Sequence, residues 1–300
     1  MTERPDPRAF GLARRSVTSP AGEAVLWHRP AVDPTDDRPP LVLLHGAAGS
    51  WTTWLDLLRA ADKQGHDLGA VIAFDLPGFG ASSTVLSSAT TVDQMADAVE
   101  LGVRAFGYPS ARLVGHSMGG LLALHLAARP AGVAASGLSL SPSSAGVIAA
   151  IDSPRTAIFG GGLGALAWLR LAMRLLSPVD RMARAVARGL QRVGVVRVLA
   201  APLFRHPLRA PRWAMDALAD DLRPRSFTLA ANALRGYSID VWSSVICPVT
   251  VVAGDRDIFV APDDLPLLKN VIPQLQITVL DDCGHFAHVE RPAEVLALLR

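Results

Sequence analysis

The stretch LVGHSMGGLLALHLAARP, Leu113 to Pro130, places a serine between glycines where an apolar strand gives way to an apolar helix. GHSMG, Gly115 to Gly119, fits G-x-S-x-G with Ser117 at its centre. The reason for the glycines is steric. A serine on a sharp strand-to-helix turn has a strained backbone, and side chains two residues before and two after it would collide. Such a turn lifts Oγ above the sheet and aims N–H groups of the following helix at the same space. Read alone, the motif is weak and is more often a tight strand–helix turn without chemistry, so the rest of the chain has to decide.

Outward from that turn, strand and helix alternate. Upstream, Ala13 to Pro30 reads as two strands around a Pro-Ala-Gly turn, and Val32 to Pro40 is a polar, proline-rich loop. LVLLHG, Leu41 to Gly46, is a strand, Trp51 to Gly65 a helix, and AVIAFDLPGFGAS, Ala70 to Ser82, a strand entering a Pro/Gly loop. The next helix is Thr91 to Gly107, with Thr91 as N-cap. Downstream, Ala135 to Ser141 is a strand, Cys247 to Asp257 another, DDLPLLKNV a helix, Gln276 to Asp282 a strand, and PAEVLALLR a final helix. Between Val147 and Tyr237 the strand signal fades into helical stretches, glycine runs and arginines. Apolar runs alternating with helices predict an α/β fold, a mostly parallel central sheet flanked by helices. The helical block reads as an inserted lid. The expected organisation is a core first part over 11–146, a lid over 147–240 and a core second part over 241–300. No repeat or low-complexity segment is visible.

The chain has 300 residues and half are hydrophobic, enough for a sizeable core. A net charge of +2 argues against wholesale nucleic-acid binding. Lys63 and Lys269 are its only lysines against 27 arginines, a bias that a G+C-rich genome would produce. Cys247 and Cys283 belong to no C-x-x-C or zinc pattern, and so few cysteines suggest a reducing compartment. MTERPDPRAF lacks the apolar region of a signal peptide. The longest apolar run, Ala157 to Leu169, is too short for a bilayer and holds four glycines. These features predict a soluble, cytoplasmic protein without a transmembrane segment. No metal-ligand pattern and no nucleotide loop is found, so neither cofactor nor metal is expected. Phe159 to Gly164, FGGGLG, lacks the strand that a nucleotide site requires and reads as a lid hinge.

A serine hydroxyl needs a base, and the base needs a partner to fix its tautomer. AGDRD offers Asp255 and Asp257 at the end of one strand, and DDCGHF offers His285 after the last. Five segments in order, LLHGAAGSW, DLPGFGAS, GHSMGG, GDRDIFV and CGHFAHVERP, resemble the α/β-hydrolase superfamily. The similarity is to its lidded serine esterase, lipase and carbon–carbon-bond hydrolase branch and runs from Ala13 to Leu299, the lid excepted. It implies a catalytic triad of Ser117, Asp257 and His285, with Asp255 as local rival and His288 as structural. It implies oxyanion donors at the Met118 and Ala47 amides, with Ala48 as runner-up. His45 and Asp75 read as loop-fixing residues, and His116 as pointing elsewhere on its turn. No carboxylate occupies LSLSPSS, where some relatives carry the acid.

From Arg155 to Arg235 there are 14 arginines and four acids, Asp180, Asp216, Asp220 and Asp221, so this segment carries +10 and the remainder −8. Arg181, Arg184, Arg188 and Arg192 form one helical face, while Met182, Val186, Leu190 and Val193 form another. The plain expectation turns the apolar face towards the active site and the arginines to water. The alternative sets the basic face against an anionic membrane, an acidic partner or an anionic substrate. Trp51, Phe159, Trp168 and Phe286 are the candidate substrate contacts, and the aromatic lid favours a small hydrophobic, ester-like substrate. The expected function is hydrolysis of a carboxylic ester through an acyl-enzyme. Thioesters, lactones and carbon–carbon bonds stay open on the same triad, as do a non-hydrolytic cyclase or lyase and a ligand-binding protein of the same frame. Ser117 argues against an epoxide hydrolase or dehalogenase, which need a carboxylate nucleophile.

Overall fold

The four residues of LVLL are buried along their whole length, and their alternation shows why. Leu41 and Leu43 join one apolar core, Val42 and Leu44 the other. A strand buried on both faces belongs in the middle of a covered sheet. In the computed structural model, which describes residues 5–82, 85–153 and 164–299, this strand is β3 (Leu41–Leu44) of an eight-stranded sheet. Its order is β1 (Ala13–Ser19), β2 (Gly22–Arg29), β4 (Val71–Asp75), β3, β5 (Ala111–His116), β6 (Ala134–Leu140), β7 (Val249–Gly254), β8 (Gln276–Leu280). The β1–β2 and β2–β4 pairs are antiparallel and the others parallel.

Helices cover both faces. α1 (Leu55–Gln64) supplies Leu55, Leu57, Leu58 and Ala61 to one core and ends on Gly65, whose φ of 60° closes it. α2 (Val92–Arg104) and α3 (Met118–Ala127) serve the other. Thr91 caps α2 as expected. Its hydroxyl accepts from the Gln94 backbone N–H and the Gln94 side-chain Oε1 accepts from the Thr91 N–H, each at 3.2 Å, a reciprocal capping box. All ten residues of α3 are buried.

Between β6 and β7 the described residues form only helices and turns: α4 (Ala145–Asp152), α5 (Gly164–Leu176), α6 (Asp180–Arg192), α7 (Val195–Leu199), α8 (Arg212–Asp220) and α9 (Pro224–Ala233), with short 3-10 turns between some of them. The chain finishes with α10 (Asp264–Val271), α11 (Ala287–Glu290) and α12 (Pro292–Ala297). Among the described residues, no helix is long and apolar enough to cross a membrane. Both cysteines are free thiols, and burial pushes Cys283 up to about 12. Because β3 to β8 run parallel, the residues just beyond their carboxyl ends gather on one edge. His45, Ser117, Asp257 and His285 all lie beyond those ends.

Candidate active site

The turn after β5 has the strain its sequence implies. Ser117 sits at φ 54°, ψ −116°, a conformation that costs a non-glycine residue roughly 1–3 kcal/mol. The surrounding glycines are required by contact. A Cβ on Gly115 would lie 2.0 Å from the Gly119 carbonyl oxygen, and one on Gly119 would lie 2.1 Å from that of Leu44. One on Gly46 would come to 3.0 Å from the Ser117 Cβ, so the loop after β3 lies directly against the serine. The Ser117 N–H is tied to the Leu140 carbonyl at 2.9 Å, and no side chain caps the start of α3. The Met118 N–H, the first of that helix, therefore stands beside Ser117 free of a capping side chain.

His285 and Asp257 meet as a buried pair. The two carboxylate oxygens each lie 3.0 Å from His285 Nδ1, with the side chains 5% and 0% exposed. A carboxylate only accepts, so the proton is on Nδ1 and the lone pair on Nε2. Burial works against the charge of Asp257. The charge and hydrogen bond of His285 outweigh it, together with the Phe259 N–H donated at 2.8 Å, and hold the carboxyl below the usual carboxylate range. Asp255 is occupied elsewhere, accepting from the Cys283 N–H at 3.0 Å and facing Arg256.

His116, expected to point away, turns inward. Its Nε2–H donates to the His285 carbonyl at 3.0 Å, which links the residue before Ser117 to the backbone of the histidine. Its ring packs on those of His285, Phe286 and His288 at 4.5–4.8 Å. His288 is fully buried against Trp54, and neither ring nitrogen has a protein partner among the described residues. Burial, with the nearby His285, lowers its pKa to about 3, and His116 is likewise held well below the usual histidine range. An unfolded histidine takes up its proton near pH 6.5. As the pH falls below that value the unfolded chain binds protons that folded His288 refuses, so stability drops until about pH 3. The slope is about 1.4 kcal/mol per pH unit for one such group. His288→Leu is expected to make the loss of unfolding free energy between about pH 6 and pH 4 shallower by about that amount. Urea unfolding at the two pH values measures it, and an unaltered slope would mean that His288 is not held neutral.

The loops beside the serine are fixed by buried polar groups. His45 donates from Nδ1 to the Gly46 carbonyl at 2.7 Å and accepts from the Leu76 N–H at 3.0 Å, which leaves it no free nitrogen. Asp75 accepts from the Trp51 N–H, the Trp27 indole and the Ala81 N–H at 2.7–3.0 Å. Both are loop-fixing residues in this geometry. Ala47 lies in the same loop, and Ala48 follows at φ 60°.

The residues expected to touch substrate separate. Phe286 is half-buried, with its ring edge-on to His285 at 5.6 Å. Trp51 is 2% exposed, its ring held between Phe10 and Trp27, so its place is in the core and not in a binding site. Trp168 is 59% exposed on α5 and faces solvent, which corrects the expectation that it meets substrate. Phe159, with most of the expected hinge, lies outside the described residues.

The helical segment is tied to the site at two places that no local signal marks. The His285 N–H donates to the Leu203 carbonyl at 2.9 Å. Glu290 accepts from the Arg205 N–H at 2.7 Å and from the Gly284 N–H at 2.6 Å, which joins the two segments around the histidine. Phe204 stacks on Phe286 at 4.9 Å. On the other side, Ser50 donates to the buried Asp221 at 2.5 Å, across 171 residues of sequence.

A family model described as alpha/beta hydrolase fold matches residues 39–292. A protein of Escherichia coli O81 (strain ED1a) named "Putative carbamate hydrolase RutD" is 26% identical over 277 residues, spanning 89% of this chain and 91% of its own. An esterase from Thermogutta terrifontis superposes with a TM-score of 0.68 at 22% identity, over 96% of this chain and 97% of its own. The enol-lactonase from Burkholderia xenovorans LB400 does so at 0.63 and 19%, over 95% and 98%. At such identities the superpositions speak for the fold. With the family model covering most of its length, the chain belongs to the alpha/beta hydrolase fold family.

Proposed function

We propose that the chain is a serine hydrolase that cleaves a carboxylic ester of a hydrophobic substrate through an acyl-enzyme. The observation that carries this reading is the buried His285–Asp257 pair, linked through His116 to the strained turn that holds Ser117. In this reading His285 Nε2 takes the proton of Ser117 as Oγ attacks the acyl carbon. The oxyanion rests on the N–H groups of Met118 and Ala47. The tetrahedral intermediate collapses, and the leaving alcohol takes its proton from His285. Water, deprotonated by the same nitrogen, then attacks the acyl carbon, and the bond to Ser117 Oγ breaks as Oγ takes that proton back from His285, which releases the acid and restores the serine. Asp257 stays ionised throughout and balances the imidazolium.

Hydrophobic substrates are favoured by the rings of Phe259 and Phe286, which flank His285 at 4.8 and 5.6 Å. The helices between β6 and β7 serve as the lid, with 11–146, 147–240 and 241–300 as core, lid and core. The relative named as a carbamate hydrolase supports a second reading, a carbamate in place of the ester, which uses the same acyl chemistry.

The test is hydrolysis of p-nitrophenyl esters of graded acyl length, with p-nitrophenyl carbamates beside them. Wild type is expected to release nitrophenol in a burst and to be labelled by a fluorophosphonate. Ser117→Ala is expected to lose the label and at least about 10⁴-fold in kcat. An unlabelled wild type that turns over none of these substrates would remove the reading.

A further inference from the structure

The arginine-rich helix α6 does not face the way its pattern led us to expect. At 100° per residue, Met182, Val186 and Val193 fall within one narrow stripe, and all three are exposed, by 59%, 54% and 74%. The side turned inward carries Ala183, Ala187 and Leu190, which are buried or half-buried. Arg181, Arg188 and Arg192 form a second exposed stripe along one flank of the apolar one. Arg188 pairs with Asp220 at 2.5 Å, whereas Arg181 and Arg192 have no acidic partner among the described residues. The exposure continues into α7, where Val198 and Leu199 are 73% and 68% exposed. Ten of the seventeen large apolar side chains left exposed among the described residues lie between 168 and 208. A folded chain keeps such a surface only if something else covers it.

We propose that α6, continued by α7, docks the chain on an anionic lipid bilayer surface. The charge selects this occupant. The segment from Arg155 to Arg235 carries +10 against −8 for the remainder, so a second copy presenting the same face would be repelled. An apolar ridge flanked by guanidinium groups suits a membrane interface. Met182, Val186 and Val193 enter the acyl boundary while the arginines stay at phosphate level, where the surface potential of an anionic leaflet attracts them. This inference does not depend on the chemistry proposed for Ser117.

The test is co-sedimentation of the full chain with vesicles of phosphatidylglycerol and phosphatidylcholine, against phosphatidylcholine alone. Pelleting is expected with the anionic vesicles only and is lost at high salt. R181E/R192E is expected to lower the partition coefficient by about tenfold or more. M182S/V186S is expected to lower it by about tenfold, with melting temperatures and turnover of a short soluble ester close to wild type. Absence of pelleting, equal pelleting with neutral vesicles, or undiminished binding by R181E/R192E would each overturn the proposal. So would a micromolar dimer that V186E dissociates, which would give the surface to self-association.

Discussion

Asp257→Asn is expected to lower kcat on an ester by about four orders of magnitude while the chain stays folded. The effect is large because the carboxylate has a task that a neutral amide performs in the wrong sense. With both oxygens 3.0 Å from Nδ1, it can only accept, and this fixes the proton on Nδ1 and leaves Nε2 to receive the proton of Ser117. An asparagine can turn its NH₂ to Nδ1, and the proton then moves to Nε2, where it faces the serine. The cation formed during attack also loses its counter-charge. The fold is expected to survive, because the Phe259 N–H keeps an oxygen to bind and the substitution changes little volume. Asp255→Asn is the internal control. Its partner is the Cys283 N–H at 3.0 Å, which an amide oxygen accepts as well, so its kcat is expected within about threefold of wild type. The pH profile supplies a second readout. Asp257 is held below the usual carboxylate range, so its charge persists to lower pH than that of an ordinary carboxylate. A kcat for Asp257→Asn within tenfold of wild type, or a collapse in Asp255→Asn, would remove Asp257 from the role proposed for it.

The sheet could be read from the chain because its signals are local. LVLL, VIAFD and the run before Ser117 are short, mostly apolar segments, and at four to six residues they have the length and burial of parallel strands covered on both faces. Thr91 and Gln94 stand at capping-box spacing, and Gly65 ends α1 with the φ that glycine permits. The pairing of His285 with Asp257 was legible too, because both follow strands whose ends converge in a parallel sheet. What escaped the sequence depends on separation or orientation. Nothing around Asp221 announces that it accepts from Ser50, 171 residues away. Glu290 looks like a helix-end carboxylate until Arg205 and Gly284 are found on its two oxygens. His116 was misread because adjacency to Ser117 says nothing about where its ring points, and the His285 carbonyl decides that. α6 failed for a related reason. Periodicity reports that a helix has two faces, but not which of them has a neighbour, and here both the arginine stripe and most of the apolar stripe face outward.

Gly119→Ala and Gly189→Ala make the same change in two helices, and their effects on stability are expected to have opposite signs. A Cβ on Gly119 would lie 2.1 Å from the Leu44 carbonyl oxygen, 2.6 Å from its carbon and 2.7 Å from the His45 carbonyl oxygen. These are backbone atoms at the end of a central strand, which the sheet and the His45 loop hold in place, so no rotamer change relieves the clash. Either α3 withdraws from β3 or the loop after β3 moves, and both open the core beneath Leu121 and Leu122. The expected loss is more than about 4 kcal/mol, well above the usual cost of a point substitution. At Gly189 a Cβ meets nothing within 4 Å, the backbone is helical and the position is half-buried with open space beside it. There alanine removes only unfolded-state freedom and is expected to add about 0.5–1 kcal/mol. Urea unfolding of both variants beside wild type measures the contrast, with soluble yield as the readout if Gly119→Ala does not accumulate. The same contact accompanies the strained serine. Gly119 brings α3 against β3 with no intervening side chain, and the turn at Ser117 that leads into this approach has a positive φ. A Gly119→Ala chain of wild-type stability would show that the approach is not required, and the steric account of the turn would fall with it.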